Sequence, residues 1–179
     1  IPRPRAGRQG GAGRRPGAAA TGDFDEDGLT DLVVTISSAD VNTMDRDTYF
    51  LSGKGDGGFA AGRVFLTEKS SHIAVADFNR DGHLDLAMPG STYLGTGRGT
   101  FVAGPVAAGG EAVGDIDNDG IPDLASLGMN NLYNPADDVV RVRLGQADGS
   151  FIAFGAPLPT GTNPNVESHP VAVAIADMN

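Results

Sequence analysis

Residues 22–32 read GDFDEDGLTDL and place four aspartates at positions 1, 3, 5 and 9 of a short loop, with glycine at position 6. The pattern returns as DFNRDGHLDL at residues 77–86 and as DIDNDGIPDL at residues 115–124, and a fourth copy opens at Asp177. We number the complete copies loop 1, loop 2 and loop 3, and count positions from Asp23, Asp77 and Asp115. The recurrence predicts a repeat protein organised around an acidic loop.

Short apolar strands are predicted on both sides of each loop. Each third strand ends in a Gly-rich turn, and the phenylalanine after that turn is predicted to open a fourth strand. Four short strands per unit, with loops of varying length between units, predict β-propeller blades. The predicted first strands span residues 18–21, 73–76, 112–114 and 171–176, the second 31–37, 84–88 and 122–126, and the third 48–51, 92–94 and 139–144; the turn phenylalanines are Phe59, Phe101 and Phe151.

The predicted fold class is therefore all-β, with blades of four antiparallel strands. Residues 17–179 are predicted to form three full blades and the start of a fourth, which makes a partial propeller from a longer chain. Residues 1–16 are rich in Arg, Gly and Pro and lack apolar periodicity, so we expect a disordered linker there. The predicted blades span about residues 17–67, 71–109 and 111–160, and the fourth begins at about residue 169.

The charge of the chain excludes several classes of partner. The formal net charge is −10, and from Pro16 onward eight basic residues stand against all 23 acids. Such an acidic body repels phosphate, so nucleic acid is not an expected ligand. The absence of cysteine excludes thiolate metal sites and disulfides. The sequence holds no apolar run of membrane-spanning length, so we expect no membrane insertion.

Alternate side chains of a tight loop can converge on one point, which favours a cation site. Two carboxylates 4 Å apart repel by roughly 4 kcal/mol at an effective dielectric constant near 20, so such a cluster makes sense around an ion. Oxygen ligands in a flexible loop suit Ca²⁺ better than Mg²⁺, and the carbonyl of position 7 is expected to complete the set. We expect about three Ca²⁺ ions, with loop 2 weaker. The predicted ligands are Asp23, Asp25, Asp27, Leu29 and Asp31 in loop 1; Asp77, Asn79, Asp81, His83 and Asp85 in loop 2; Asp115, Asp117, Asp119, Ile121 and Asp123 in loop 3; and Asp177 and Asn179 in the fourth copy.

A helical calcium loop of the EF-hand or dockerin type is the competing interpretation. That loop requires a bidentate acid at position 12. Here position 12 holds Val34, Met88 and Ser126, and the residues after each loop are typical of strands. The helical alternative therefore fails at all three loops.

The recurring acidic loop, followed by a strand and by Leu-Gly-x-x-x-Gly-x-Phe, resembles the FG-GAP/VCBS repeats from about residue 17 to residue 179. These repeats form the calcium-binding β-propellers of integrin α-subunit heads and of many bacterial secreted or surface proteins. The resemblance implies a propeller that often has seven blades, with Ca²⁺ bound in a hairpin loop of each. It also implies a secreted or cell-surface location. Three complete units cannot close such a ring, so further blades would come from the parent chain or from another copy.

Three functions remain open at this point. The first is a non-catalytic calcium-binding segment for adhesion or for recognition of a glycan or an extracellular protein, and the loop around Tyr133 is its candidate ligand contact. The second is a scaffold within a secreted enzyme that acts on polysaccharide or lipid. The third is a structural spacer. The sequence shows no catalytic motif, so we expect the segment itself not to be an enzyme.

Overall fold

The computed structural model describes residues 14–38, 46–67, 70–105, 112–128, 139–159 and 173–175. These residues form twelve strands in three sheets, and each sheet is an antiparallel meander of four strands. We call the sheets blade 1 (β1–β4), blade 2 (β5–β8) and blade 3 (β9–β12). Their bounds are β1 Arg14–Gly22, β2 Asp31–Ser38, β3 Arg46–Leu51, β4 Arg63–Leu66, β5 Ala74–Ala76, β6 Asp85–Met88, β7 Ser91–Gly95, β8 Phe101–Ala103, β9 Ala112–Gly114, β10 Asp123–Gly128, β11 Val139–Gly145 and β12 Phe151–Pro159.

The predicted all-β class is confirmed, because the described residues form three four-stranded sheets and contain no helix. The sheets follow one another like propeller blades, although the described residues do not form a closed ring. The first strands lie next to each other, with β5 against both β1 and β9. Each acidic loop therefore occupies the same place in its blade, between the first and second strands. Asp177, Asn179, Tyr133 and residues 1–13 lie outside the described residues.

Two predicted boundaries need correction. β1 begins at Arg14, inside the predicted linker, because Arg14 and Pro16 pair with the far end of the long strand β2. In blade 1 the prediction that Phe59 opens the fourth strand is wrong. Phe59 forms only an isolated bridge with Gly53, and the ladder resumes at Arg63 opposite Phe50. In blades 2 and 3 the prediction is confirmed, since the turn phenylalanine is the first residue of the fourth strand.

The cores lie between neighbouring blades. The larger cluster joins blade 1 to blade 2 around Phe24, Phe50 and Leu86. The smaller cluster joins blade 2 to blade 3 around Phe78 and Leu124. Burying side chains of this size contributes about 1.5–3 kcal/mol each. The blades therefore stabilise one another mainly through these shared clusters.

Loops 1 and 2 also contribute an aromatic residue to the next blade. The position-2 side chain Phe24 packs edge-on against Phe101 of blade 2, with ring centroids 5.6 Å apart. Phe78 packs in the same way against Phe151 of blade 3, at 5.4 Å. The amide of Gly99 also donates to the carbonyl of Phe24 at 2.8 Å. The loop-and-turn pairing that recurs in the sequence is thus a contact between successive blades.

Candidate metal centres

The three acidic loops share one backbone conformation. Position 4 has a left-handed φ of 59° at Glu26, 60° at Arg80 and 60° at Asn118. Position 6 has a φ of 84° in loop 1, 90° in loop 2 and 81° in loop 3, and it is glycine each time. Residues other than glycine and asparagine rarely adopt this left-handed backbone conformation. The predicted need for glycine at the sharp turn is confirmed by these angles.

The position-1 aspartate holds the turn together. In loop 1, Oδ1 of Asp23 accepts a hydrogen bond from the amide of Asp27 at 3.1 Å, and Oδ2 accepts one from the amide of Gly28 at 3.0 Å. Asp77 and Asp115 make the same two bonds in loops 2 and 3. The position-5 aspartate then accepts from the amide of position 7, at 2.8 Å in loop 1. These carboxylates order the loop through its own backbone.

The position-9 aspartate is fully buried and links the loop to the third strand of its blade. Asp85 accepts from the amide of Phe78 at 2.9 Å through Oδ2 and from the amide of Gly95 at 2.7 Å through Oδ1. A Cβ on Gly95 would collide with the carbonyl oxygen of Leu84, so only glycine fits. The same pair of bonds recurs at Asp31 with the amides of Phe24 and Gly53, and at Asp123 with those of Ile116 and Gly145.

Position 3 is where the loops differ. Oδ2 of Asp25 accepts from the hydroxyl of Ser52 at 3.1 Å, while its Oδ1 is buried and has no hydrogen-bond partner among the described residues. In loop 2, Nδ2 of Asn79 donates to Oδ2 of Asp81 at 2.9 Å. In loop 3, Asp117 accepts from the amide of Asp119 at 3.2 Å. Only the asparagine ties positions 3 and 5 together with a donor of its own.

Two loops gather three carboxylates each. Oxygens of Asp23, Asp25 and Asp27 lie within 4.8 Å of one another, and so do oxygens of Asp115, Asp117 and Asp123. Asp31 does not belong to the first group, and Asp119 does not belong to the second. Loop 2 has no such group of three acids, since its position 3 is an amide. The structure thus brings together three of the four acids predicted for loops 1 and 3.

Burial and mutual repulsion disfavour the charged form of some of these acids. The pKa of Asp85 is raised to about 6, mainly by burial; the Gly95 and Phe78 amides oppose the shift, and the charges of Asp81 and Asp77 contribute to it. Desolvation also raises the pKa of Asp117, and the neighbouring acids of loop 3 add to the effect. A cation would relieve both costs. Clustered oxygen donors and the orphan oxygen of Asp25 fit a hard cation.

Position-4 side chains connect one loop to the next. The carboxylate of Glu26 in loop 1 pairs with Nδ1 of His83 in loop 2, and this hydrogen bond raises the pKa of His83. The guanidinium of Arg80 in loop 2 lies beside Gly120 of loop 3, where an added Cβ would meet it at 3.0 Å. The side chain of His83 thus forms a contact between blades, and the prediction that its carbonyl binds the cation stays a prediction.

Ser52 and the three strand-end glycines were not predicted as partners of the loop acids. The recurring Leu-Gly before the turn was the available signal for Gly95 and Gly145. The carbonyls of Leu29, His83 and Ile121 remain predicted ligands.

Comparison with known families agrees with this geometry. Residues 23–88, which contain loops 1 and 2 and the strands between them, match the model of the FG-GAP-like repeat family. This stretch is an FG-GAP-like repeat. The predicted resemblance is confirmed here, and the likeness of loop 3 to loops 1 and 2 extends the pattern into blade 3. No curated protein matches the chain. Within the described residues, no helix is long and apolar enough to cross a membrane.

Proposed function

We propose that this chain is a calcium-binding segment of a β-propeller in a secreted or cell-surface protein. The observation that carries the proposal is the convergence of three carboxylates in loop 1 and again in loop 3, on the same loop backbone. The orphan Oδ1 of Asp25 supports it, because a buried carboxylate oxygen without a hydrogen bond is costly unless a cation pairs with it. Carboxylates and carbonyls in flexible loops are the ligands that Ca²⁺ takes.

The role we assign to Ca²⁺ is structural. Bound between positions 1, 3 and 5 of loop 1, and between positions 1, 3 and 9 of loop 3, it would neutralise acids that otherwise repel one another. Extracellular calcium modules bind with dissociation constants of roughly 10⁻⁴ to 10⁻³ M. At millimolar Ca²⁺ each site would then add on the order of 1 kcal/mol to the free energy of unfolding. Loop 2 would bind more weakly, because it offers one acid fewer.

The test compares thermal unfolding and calorimetric Ca²⁺ binding of the chain in EGTA and in millimolar CaCl₂. We expect calcium to raise Tm by a few degrees, since about 1 kcal/mol shifts the Tm of a chain of this size by about 2–4 °C. The double variant Asp25→Asn with Asp117→Asn should lose most of that rise.

A matched control removes the same charge outside the acidic loops. Asp56 and Asp148 are exposed acids of the Gly-rich turns, and each accepts from an amide two residues on, as loop acids do. The double variant Asp56→Asn with Asp148→Asn should keep the full calcium response. A Tm that moves with neither EGTA nor calcium would refute the proposal, as would an equal loss in the control.

We propose further that the segment itself is not catalytic and that it recognises a glycan or an extracellular protein. In support, its clustered acids are engaged in ordering the loop backbone, which leaves them poorly suited to proton transfer. Purified chain should bind immobilised glycans or surface proteins and show no turnover of polysaccharide or lipid. Turnover by the purified chain would contradict this part of the proposal, and recovery of the native protein from the cytosol would contradict the location.

A further inference from the structure

The end of strand β3 holds two acids of loop 1 through consecutive residues. The amide of Gly53 donates to Oδ1 of Asp31 at 2.8 Å. The hydroxyl of Ser52, one residue earlier, donates to Oδ2 of Asp25 at 3.1 Å. The first contact is made by the backbone and recurs in all three blades, whereas the second is made by a side chain. Ser52 therefore adds a link between loop 1 and its strand that the shared backbone does not provide.

The other two blades have leucine at the position of Ser52. Gly95 and Gly145 make the backbone contact with the position-9 acids of loops 2 and 3, and the residues before them are Leu94 and Leu144. A leucine side chain has no hydrogen-bond donor. The serine thus distinguishes loop 1 from loop 3, although both loops gather three carboxylates.

The backbone around Ser52 is held on two sides. Its carbonyl accepts from the amide of Ala60 at 2.8 Å, and the next residue, Gly53, forms a bridge with Phe59. A Cβ on Gly53 would collide with the carbonyl oxygen of Thr30, so this strand end packs closely against loop 1. The hydroxyl of Ser52 is therefore presented to the loop from a fixed position.

The serine hydrogen bond determines which oxygen of Asp25 is available. Oδ2 is occupied by the hydroxyl, while Oδ1 is buried and has no hydrogen-bond partner in the part of the chain that the structure describes. Such an oxygen is costly unless a cation neutralises it. In loop 3 the exposed Asp117 uses its Oδ1 to accept from the amide of Asp119 at 3.2 Å. Loop 1 thus offers a cation a buried oxygen that no other donor occupies.

We propose that Ser52 is a positioning residue for the cation of loop 1 and makes this loop the tightest calcium site of the three. The proposal rests on the calcium binding proposed above. Groups that hydrogen-bond a ligating side chain fix its orientation, and their loss typically lowers metal affinity by about 10- to 100-fold. The serine supplies this support with a neutral donor, so it adds no charge that would repel the ion.

The experiment is a calorimetric Ca²⁺ titration of the full chain in the Asp117→Asn background, in which loop 3 is weakened and loop 1 is the tightest site. We expect Ser52→Ala to weaken Ca²⁺ binding at this site by about tenfold. Ser52→Thr keeps the hydroxyl and should bind Ca²⁺ nearly as its parent does. Among the single variants, Asp25→Asn should weaken binding of the first ion more than Asp117→Asn does.

A matched control removes another serine–aspartate hydrogen bond outside the acidic loops. The hydroxyl of Ser150 bonds to the carboxylate of Asp148 in the Gly-rich turn of blade 3, and together with the Ser150 amide it lowers the pKa of Asp148. In the same background, Ser150→Ala should leave the calcium affinity of loop 1 unchanged. Far-ultraviolet circular dichroism and urea unfolding in EGTA report whether each variant folds.

The proposal is overturned if Ser52→Ala binds Ca²⁺ as tightly as its parent, if Ser52→Thr is as weak as Ser52→Ala, or if Ser150→Ala loses as much affinity. An equal loss for Ser52→Ala in the Asp25→Asn background, where loop 3 is the tightest site, would also overturn it. The wild type distinguishes the two proposals. Absence of Ca²⁺ binding by the wild type refutes both, whereas wild-type binding that Ser52→Ala leaves unchanged refutes only the role of Ser52.

Discussion

Loop 2 and loop 3 have the same backbone and different chemistry. Their φ angles at positions 4 and 6 agree within about ten degrees, and their position-1 and position-9 aspartates make the same backbone hydrogen bonds. They differ at position 3, where loop 2 has Asn79 and loop 3 has Asp117. Positions 1, 6 and 9 thus build the loop, while position 3 sets the charge that a cation would meet.

The comparison also shows how an amide can replace an acid at position 3. In loop 2 the amide of Asn79 donates to Asp81, so a neutral side chain supplies the positive end of a dipole to a position-5 acid. In loop 3 the three gathered acids have no such donor. The same fold therefore accommodates one loop with a side-chain donor between positions 3 and 5 and one loop with a third carboxylate in its place.

The largest loss of stability should come from replacing the position-9 aspartate, which accepts hydrogen bonds from two backbone amides in both loops. Asp85→Ala or Asp123→Ala would leave two backbone amides without their acceptor, at about 1–3 kcal/mol for each buried group. We therefore expect a loss of roughly 2–6 kcal/mol in the free energy of unfolding in EGTA, similar in the two loops. In calcium the loss at Asp123 should be larger, because this acid is also a proposed ligand in loop 3. Urea unfolding checks this.

The contrast for that experiment is the exposed position-5 acid. Asp81→Asn in EGTA should cost less than about 1 kcal/mol, as is usual for exposed substitutions that leave a hydrogen bond partly intact. If Asp85→Ala unfolds no more easily than Asp81→Asn, or if its effect disappears when calcium is removed, then position 9 serves the ion and not the scaffold.

A smaller effect is expected from exchanging the position-3 residues of loops 2 and 3. The changes in calcium affinity and in stability should have opposite signs in the two loops. Asn79→Asp should strengthen calcium binding at loop 2 by about tenfold, since the number of charged ligands tunes the affinity of such loops. It should lower stability in EGTA, because it removes the bond to Asp81 and adds a repelling charge. Asp117→Asn should do the reverse in loop 3. Calorimetric titration and urea unfolding measure both.

The exchange is informative only as a pair. If both variants bind calcium like the wild type, position 3 does not set the affinity, and the difference between the loops is without consequence. If both variants lose stability in EGTA, then the packing of each position-3 side chain in its own loop, and not its charge, determines the stability of the loop.

Much of this architecture could be predicted from sequence because it repeats. The strands around each loop and the turn phenylalanines Phe101 and Phe151 recur at equivalent places, so three weak local signals reinforce one another. The start of the fourth strand of blade 1 was wrongly predicted at Phe59. The residues of the turn do not determine where the pairing of the strands resumes, which here is at Arg63. The blade-to-blade contact of Glu26 with His83 was beyond reach, since it depends on how two blades pack.

The candidate site was predictable in composition and not in detail. The spacing identifies acids that can converge, but it cannot tell a carboxylate that faces an ion from one that binds backbone amides. Asp85 looks like Asp81 in the sequence, and only burial separates their roles. The glycine that completes the position-9 contact lies ten residues further on in loop 2 and 22 residues further on in loop 3, so no short motif contains both partners.

The smallest loss of stability is expected from replacing the glycine at position 6 of loop 2 or loop 3. Gly82→Ala should cost about 1 kcal/mol, because an L-residue is strained at a φ of 90° although no atom lies within 4 Å of the added Cβ. Gly82→Asn should cost less, since asparagine tolerates this region. Gly120→Ala should cost slightly more than Gly82→Ala, because its Cβ meets the guanidinium of Arg80 at 3.0 Å. Urea unfolding in EGTA isolates the backbone effect from any ion, and equal stability of Gly82→Ala and the wild type would mean that this turn carries no strain.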